Sequence, residues 1–192
     1  MPYIEQEQAN YCVPASIAMW RGYDGLAPVT QTEIWNAIGG APCDGLDAAY
    51  GVRLFTASGY DAYLDFVGPS QRDAFLARQL TSIDRRVPVI VIVNPWRDHV
   101  GVINGGSYQY TASTDRYTWN TVLFHDPGYL YGGPDQDWDS GDWANYTCGN
   151  SFSHCGQIVS GSASFNWSSH LQGYGYSVDF YDGTCCNEEH QN

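Results

Sequence analysis

A cysteine near the amino end of the chain stands where polar, irregular sequence gives way to helix-forming residues. Cys12 is followed by Pro14, which suits the first turn of a helix, and the apolar run continues to Trp20. A thiol at a helix N-terminus faces backbone N–H groups and the positive end of the helix dipole, which favour thiolate over thiol. The amide of Gln6, six positions earlier, is a suitable donor to an oxyanion forming beside that sulfur. This stretch therefore predicts half of an active site for acyl transfer at a thiol.

A family resemblance supplies the other half. Together with Gln6, the motif Cys12-Val13-Pro14-Ala15-Ser16 resembles papain-like cysteine peptidases, and its short form is similar to the bacteriocin-processing, double-glycine-leader peptidases. The resemblance implies a histidine at the start of a later strand and an aspartate, often before proline, on the next strand. His99 and Asp126 match these two positions. The transporter-linked members differ, because they usually carry glycine at the position of Val13 and have a transporter domain.

Acyl transfer at a thiol needs a nucleophile, a base, a group that orients the base, and oxyanion donors. His99 stands at a predicted junction between a loop and a strand, and that loop follows the apolar run 87–93. The predicted catalytic residues, in the order of those four roles, are Cys12, His99, Asp126 and Gln6.

Each of these residues also has an ordinary structural interpretation. A buried cysteine is often a small core residue, and an aspartate before proline is a common turn residue. His125 is an alternative base, with Asp98 as its partner. His125 and Asp126 are neighbours on a predicted strand, however, so their side chains point to opposite faces of the sheet. Only one of the two can therefore reach the site. Gln8 is an alternative to Gln6.

Length and charge limit the classes of protein and partner. The 192 residues are enough for one domain with a normal core. A net charge of −13 and a pI near 4.4 argue against nucleic acid and anionic membrane as partners. The run 87–93 is too short to cross a bilayer, and the first residues do not have the pattern of a signal peptide. We expect one domain over residues 1–192, a peptide or protein substrate, no membrane partner, no cofactor, no metal and a monomeric state.

Six cysteines bear on the cellular compartment. Without Cys12 five remain, so at least one further thiol stays unpaired within a monomer. The predicted disulfides join Cys148 to Cys155, and Cys43 to Cys185 or Cys186. Low lysine content, many tyrosines and glycines, and glycosylation sequons at 145–147 and 166–168 are typical of exported proteins. We therefore expect a secreted, extracellular protein.

The elements that must position the site follow from hydrophobic periodicity. Helices are predicted at residues 12–22, 33–38, about 44–58 and about 71–84, and strands at 61–66, 87–93, 99–103, 108–110, 116–125 and within 157–182, with a loop at 128–150. A helical part (residues 1–86) followed by a sheet part (87–192) predicts an α+β, papain-like fold, in which an N-terminal helical lobe packs on an antiparallel β-sheet. Cys12 and His99 would meet in the cleft between the two parts.

Two other clusters are weaker candidates for metal sites. The alternating carboxylates from Asp135 to Asp142 resemble a calcium loop, but the glycine stands at the seventh position rather than the sixth, and Tyr146 occupies the twelfth. The cysteines near His154 lack the C-x-x-C spacing of a zinc site. A solvated acidic loop and disulfides are the interpretations we favour.

Three functions remain open from the sequence. The first is a cysteine peptidase that hydrolyses peptide or amide bonds through an acyl-thioester. The second is an acyltransferase, a transglutaminase-like enzyme or an amidase that uses the same residues. The third is a disulfide-stapled binding module with an inactive site.

Overall fold

A computed structural model of the chain describes residues 1–40, 45–57, 62–65, 72–84, 86–93, 99–114, 116–128, 133–148 and 157–160. It consists of helices and strands. In chain order they are α1 (Cys12–Tyr23), α2 (Gln31–Ala37), α3 (Gly45–Phe55), β1 (Ala62–Asp65), α4 (Arg72–Asp84), β2 (Val89–Val93), β3 (His99–Thr111), β4 (Arg116–Asp126), β5 (Gly133–Asp139), α5 (Ser140–Cys148) and β6 (Gln157–Ser160).

The described strands form one sheet of six, in the order β1-β6-β2-β3-β4-β5, and all neighbouring strands are antiparallel. β2 lies inside the sheet, as its run of β-branched residues predicts. β3 and β4 form a long hairpin beside it, and β5 lies at the edge. The sheet therefore joins residues from both halves of the chain.

Two buried clusters cover the two faces of the sheet. In one cluster, the helices α1, α2 and α3 contribute residues that pack with Ile90, Val100 and Val102. In the other, α4 and α5 contribute Leu80 and Trp143, which pack with residues of β2, β3 and β4. The α+β prediction is confirmed. The helices are divided between the two clusters, however, and β1 from the first half of the chain joins the sheet.

The short helix α2 begins with the capping box that its sequence predicts. The Thr30 side chain accepts a hydrogen bond from the Glu33 backbone N–H, and the Glu33 carboxylate accepts one from the Thr30 N–H. Two hydrogen bonds lower the pKa of Glu33: the larger effect comes from the Thr30 side chain and the smaller from the Thr30 backbone. Gly39 and Gly40 follow with positive φ angles of 103° and 76°, which glycine adopts without steric cost.

The prediction of a loop at 128–150 is wrong, because much of this segment forms β5 and α5. The physical reason is the indole of Trp143, which is fully buried and donates from Nε1 to Gln79 Oε1 at 2.7 Å. Asp139 Oδ1 accepts from the backbone N–H groups of Gly141 and Asp142, at 2.8 and 3.0 Å. The carboxylates that resembled a calcium loop thus belong to an edge strand, where charge is tolerated, and to a helix N-terminus.

The third predicted strand also extends further than expected. β3 continues through residues 104–107, where its pairing with β4 shifts register. Gly106 has a φ of +152°, and a Cβ there would overlap the Thr121 carbonyl oxygen. Glycine therefore bends the strand here without ending it.

Several predictions concern residues outside the described part of the chain. They include strand structure in 161–182, and the disulfides proposed for Cys43, Cys155, Cys185 and Cys186. The side chain of Cys148 is not described either. Among the described residues, no helix has the length and apolar character that crossing a membrane requires.

Candidate active site

The imidazole of His99 and the carboxylate of Asp126 are in direct contact. His99 Nε2 lies 2.5 Å from Asp126 Oδ1, and the two side chains are 13% and 17% exposed. A hydrogen bond to an ionised carboxylate, partly shielded from water, is stronger than one between two neutral groups. The structure thus brings together two of the four predicted catalytic residues.

The β3–β4 pairing explains this contact. Val102 pairs with His125 and Ile103 with Phe124, and the same register continued by one residue places Asp126 opposite Gly101. His99 is two residues from Gly101, so it lies diagonal to Asp126 on the same face of the hairpin, within reach of long side chains. A Cβ at Gly101 would overlap the Phe124 ring and lie 2.6 Å from the His125 carbonyl oxygen. Glycine therefore permits the close approach of the strands beside the pair.

Asp126 is also a turn residue, as its position before proline suggested. Its Oδ1 accepts a second hydrogen bond from the Gly128 backbone N–H at 2.8 Å. The Asp126 carbonyl oxygen accepts from the Tyr3 hydroxyl at 3.1 Å. Burial, followed by the charges of Glu5 and Asp126, raises the pKa of Tyr3, so this hydroxyl stays protonated and donates. Asp126 is therefore both a turn residue and the partner of His99.

Cys12 is the first residue of α1, as predicted. It is 2% exposed and carries a thiol that is not in a disulfide. The N-cap residue, Tyr11, makes no side-chain hydrogen bond to the first turn, and no acidic residue lies there. The backbone dipoles at this helix end favour negative charge. Cys12 packs in the same buried cluster as Val100, the residue that follows His99.

Gln6 is buried, with 1% of its surface exposed. Its side-chain Nε2 donates to the carbonyl oxygens of Gln8 and Ala9 at 2.9 and 2.8 Å. These contacts fix the orientation of the amide, because only the nitrogen can donate. An oxyanion bound by Gln6 has to share an N–H with one of these two carbonyls.

Hydrogen bonds connect the start of α1 to the Asp126 turn. The Tyr11 backbone N–H donates to Gln8 O at 3.0 Å, and Gln8 O also accepts from the Gln6 side chain. The Gln6 backbone N–H in turn donates to Pro127 O at 2.8 Å. The nucleophile candidate and the His99–Asp126 pair thus lie at connected parts of the fold.

His125, the alternative base, points elsewhere. Its side chain is 2% exposed, its Nδ1 accepts from the Asp135 backbone N–H at 3.0 Å, and its Nε2 lies 3.4 Å from Met1 O. Burial lowers the pKa of His125, which together with these contacts describes a neutral, structural imidazole. The argument from strand geometry, that His125 and Asp126 face opposite ways, is consistent with this. Asp98 lies outside the described residues.

Two residues near the site were not predicted from the sequence. Gln31 has 2% of its surface exposed and contacts the backbone on both sides of Gln6. Tyr3 supports the Asp126 turn and packs edge-on against the His125 ring, with centroids 5.8 Å apart. No local motif marks either residue, since their partners are distant in sequence. A polar residue at an inward-facing position of α2 was the one available signal.

No group of three or more possible metal ligands occurs within the described ranges.

Comparisons with known proteins find two similarities to this chain. The sequence profile of the Peptidase_C39 like family matches residues 1–157. No curated protein matches the chain. Among solved structures, the chain is similar to the crystal structure of the peptidase domain of Streptococcus ComA, a bi-functional ABC transporter involved in a quorum sensing pathway. That similarity has a TM-score of 0.49 and 13% identity, and covers 84% of this chain and 98% of the other.

Proposed function

The chain belongs to the Peptidase_C39 like family, and on that premise we propose that it is an active cysteine peptidase, which hydrolyses peptide or amide bonds in a peptide or protein substrate. The observation that carries the proposal is the contact of His99 Nε2 with Asp126 Oδ1 at 2.5 Å. A histidine oriented by a carboxylate is the base that a thiol nucleophile needs.

The contact with Asp126 indicates which ring nitrogen of His99 carries the proton. An ionised carboxylate has acceptor oxygens alone, so Asp126 Oδ1 accepts a hydrogen bond from the N–H group at His99 Nε2. In the neutral ring Nδ1 then holds the lone pair. In the proposed mechanism, Nδ1 takes the proton of the Cys12 thiol, and the Asp126 carboxylate stabilises the imidazolium that forms.

The thiolate of Cys12 then attacks the substrate carbonyl carbon, and the C–S bond forms as the carbonyl π electrons move to oxygen. When this tetrahedral intermediate collapses, the C–N bond breaks and the leaving amine takes the proton from Nδ1. An acyl-thioester remains on Cys12. Water, deprotonated by His99, attacks the thioester, releases the acid product and returns the thiol.

The oxyanion of each tetrahedral intermediate needs donors at the start of α1. The backbone N–H of Cys12 is one proposed donor and the Gln6 amide is the other. Gln6 Nε2 already donates to two carbonyl oxygens, so in this mechanism one of its N–H groups is shared between a carbonyl and the oxyanion. The N-terminal end of the α1 dipole adds to the stabilisation of negative charge.

A broad peptide-library digest tests the proposal, with Cys12→Ala as the inactive variant and Ser16→Ala as its matched control. Ser16 is also a small, buried residue of α1. Cleavage that is retained in Ser16→Ala and abolished in Cys12→Ala supports a cysteine peptidase. A digest without Cys12-dependent cleavage rejects it.

Two added measurements separate the other functions. Transfer of the acyl group to an added amine, in preference to water, indicates a transferase that uses the same residues. Iodoacetamide at about pH 6 modifies a catalytic thiolate selectively. If Cys12 is inert under these conditions, a binding module with an inactive site is the better description.

A further inference from the structure

The segment that carries Gln6 is held from two opposite sides. On one side the buried amide of Gln31 makes two hydrogen bonds: Nε2 donates to Glu5 O at 2.7 Å, and Oε1 accepts from the Glu7 N–H at 3.0 Å. On the other side the Gln6 N–H donates to Pro127 O at 2.8 Å. A side-chain amide thus takes the place of a paired peptide group, and it contacts the residues immediately before and after Gln6.

The position of Gln31 makes this bridge rigid. Gln31 is the first residue of α2, whose start is fixed by the capping box of Thr30 and Glu33. Its side chain is 2% exposed, and a buried amide left without partners carries a large desolvation cost. Both ends of the Gln31 amide are matched to a backbone acceptor and a backbone donor, so rotation of the amide by a half-turn would break both bonds.

We infer that Gln31 is a positioning residue of the proposed active site, which fixes the backbone at Glu5 and Glu7 and thereby holds the Gln6 amide where the oxyanion forms. This inference rests on the proposed function. Gln31 acts through Gln6 and touches no reacting atom. A misplacement of about 1 Å in such a donor is enough to lower a rate by about 100-fold.

Two reactions of Cys12 isolate this role. Acylation by p-nitrophenyl acetate passes through a tetrahedral oxyanion: the Cys12 sulfur attacks the ester carbonyl, the C–O bond breaks and p-nitrophenolate leaves. Alkylation by iodoacetamide displaces iodide and forms no oxyanion. Both need the thiolate, so the ratio of the acylation rate to the alkylation rate reports oxyanion stabilisation separately from thiol reactivity. Rates measured on Cys12→Ala are subtracted to remove the contribution of other groups.

We expect Gln6→Ala and Gln31→Leu each to lower this ratio by about tenfold or more. The Gln6→Ala/Gln31→Leu double variant should fall no further than Gln6→Ala, because the two residues act through one donor. Gln79→Leu is the matched control: it removes a buried glutamine of α4 that contacts Trp143 and not the Gln6 segment, so its ratio should equal that of the parent.

Gln31→Glu covers the case in which Gln31→Leu does not fold. It keeps an acceptor for the Glu7 N–H and loses the donor to Glu5 O. Its ratio, relative to the parent at each pH, should fall at neutral pH and recover as pH decreases, because a protonated carboxyl can donate to Glu5 O. A ratio that stays low as pH decreases would count against the inference, because the restored donor to Glu5 O would then have no effect.

The outcomes distinguish this inference from the proposed function. If Cys12 of the parent reacts no faster than a thiol of the unfolded chain, the proposed function fails and the inference with it. If Cys12 is reactive and Gln6→Ala lowers the ratio while the folded Gln31 variants match the parent, the inference alone is wrong. Losses at the two positions that add in the double variant also overturn it.

Discussion

Replacing Asp126 by asparagine separates the charge of this side chain from its geometry. In the structure, Asp126 Oδ1 accepts from His99 Nε2 at 2.5 Å and from the Gly128 N–H at 2.8 Å. An asparagine that turned its NH₂ group toward the Gly128 N–H would place two donors against each other. The Gly128 N–H therefore keeps the amide oxygen of the variant facing His99, and the ring keeps its proton on Nε2.

The expected loss follows from the change in bond strength alone. A hydrogen bond with a charged partner contributes about 1.5–3 kcal/mol and a neutral one about 0.5–1.5. The difference, about 1–1.5 kcal/mol, corresponds to a fall of about tenfold in kcat/KM. Loss of the base in His99→Ala should cost about 100-fold to 10,000-fold. Asp126→Asn is thus expected to lie between the parent and His99→Ala.

The assay is hydrolysis of the peptide that is cleaved fastest in the library digest, with Asp126→Ala and His99→Ala measured in parallel. An Asp126→Asn rate equal to that of the parent would remove Asp126 from the mechanism. A rate as low as that of His99→Ala would show that the asparagine reverses the hydrogen-bond direction. It would refute the argument that Gly128 orients the amide.

Three further perturbations test the site and its support. Cys12→Ala should abolish turnover and change Tm by only a few degrees, because a small buried side chain is replaced by one slightly smaller; differential scanning calorimetry measures this. Gly101→Ala should destabilise the fold by about 1–3 kcal/mol in urea unfolding, since its Cβ overlaps the Phe124 ring, whereas Gly105→Ala meets nothing closer than 3.9 Å. When pH falls from about 7 to about 5, the Tm of His125→Asn should decrease less than the Tm of the parent.

The sign of the pH effect follows from the lowered pKa of His125. The folded chain keeps this imidazole neutral, while the unfolded chain takes up a proton near the ordinary histidine value of about 6.5. Stability is therefore lost as pH falls below that value, and the variant, with no imidazole, lacks this contribution. If Tm depends on pH equally in the parent and in His125→Asn, His125 is not the source of the pH dependence. For the glycines, equal destabilisation at positions 101 and 105 would contradict the steric argument.

Local sequence was sufficient for the elements whose causes are local. The helix that begins at Cys12, the capping box at Thr30 and the β-branched strand ending at Val93 are each indicated by residues within a few positions of one another. A proline in the first helical turn, a capping box and a β-branched run are signals that a short window contains. The loop predicted for 128–150 failed because its helix is stabilised by burial of Trp143 against distant residues.

The candidate site shows the same division. From sequence, strand alternation established that His125 and Asp126 face opposite ways, and the spacing of Gln6 and Cys12 indicated a nucleophile with its oxyanion donor. Tertiary structure decided that Asp126 pairs with His99, that Tyr3 reaches Asp126 across 123 positions and that Gln31 brackets Gln6. These contacts depend on the register of β3 with β4 and on where the N-terminal segment lies. The hairpin register includes irregularities after Ile103 and after Ser107, and the position of the N-terminal segment is set by packing against residues far along the chain. A local sequence pattern fixes neither.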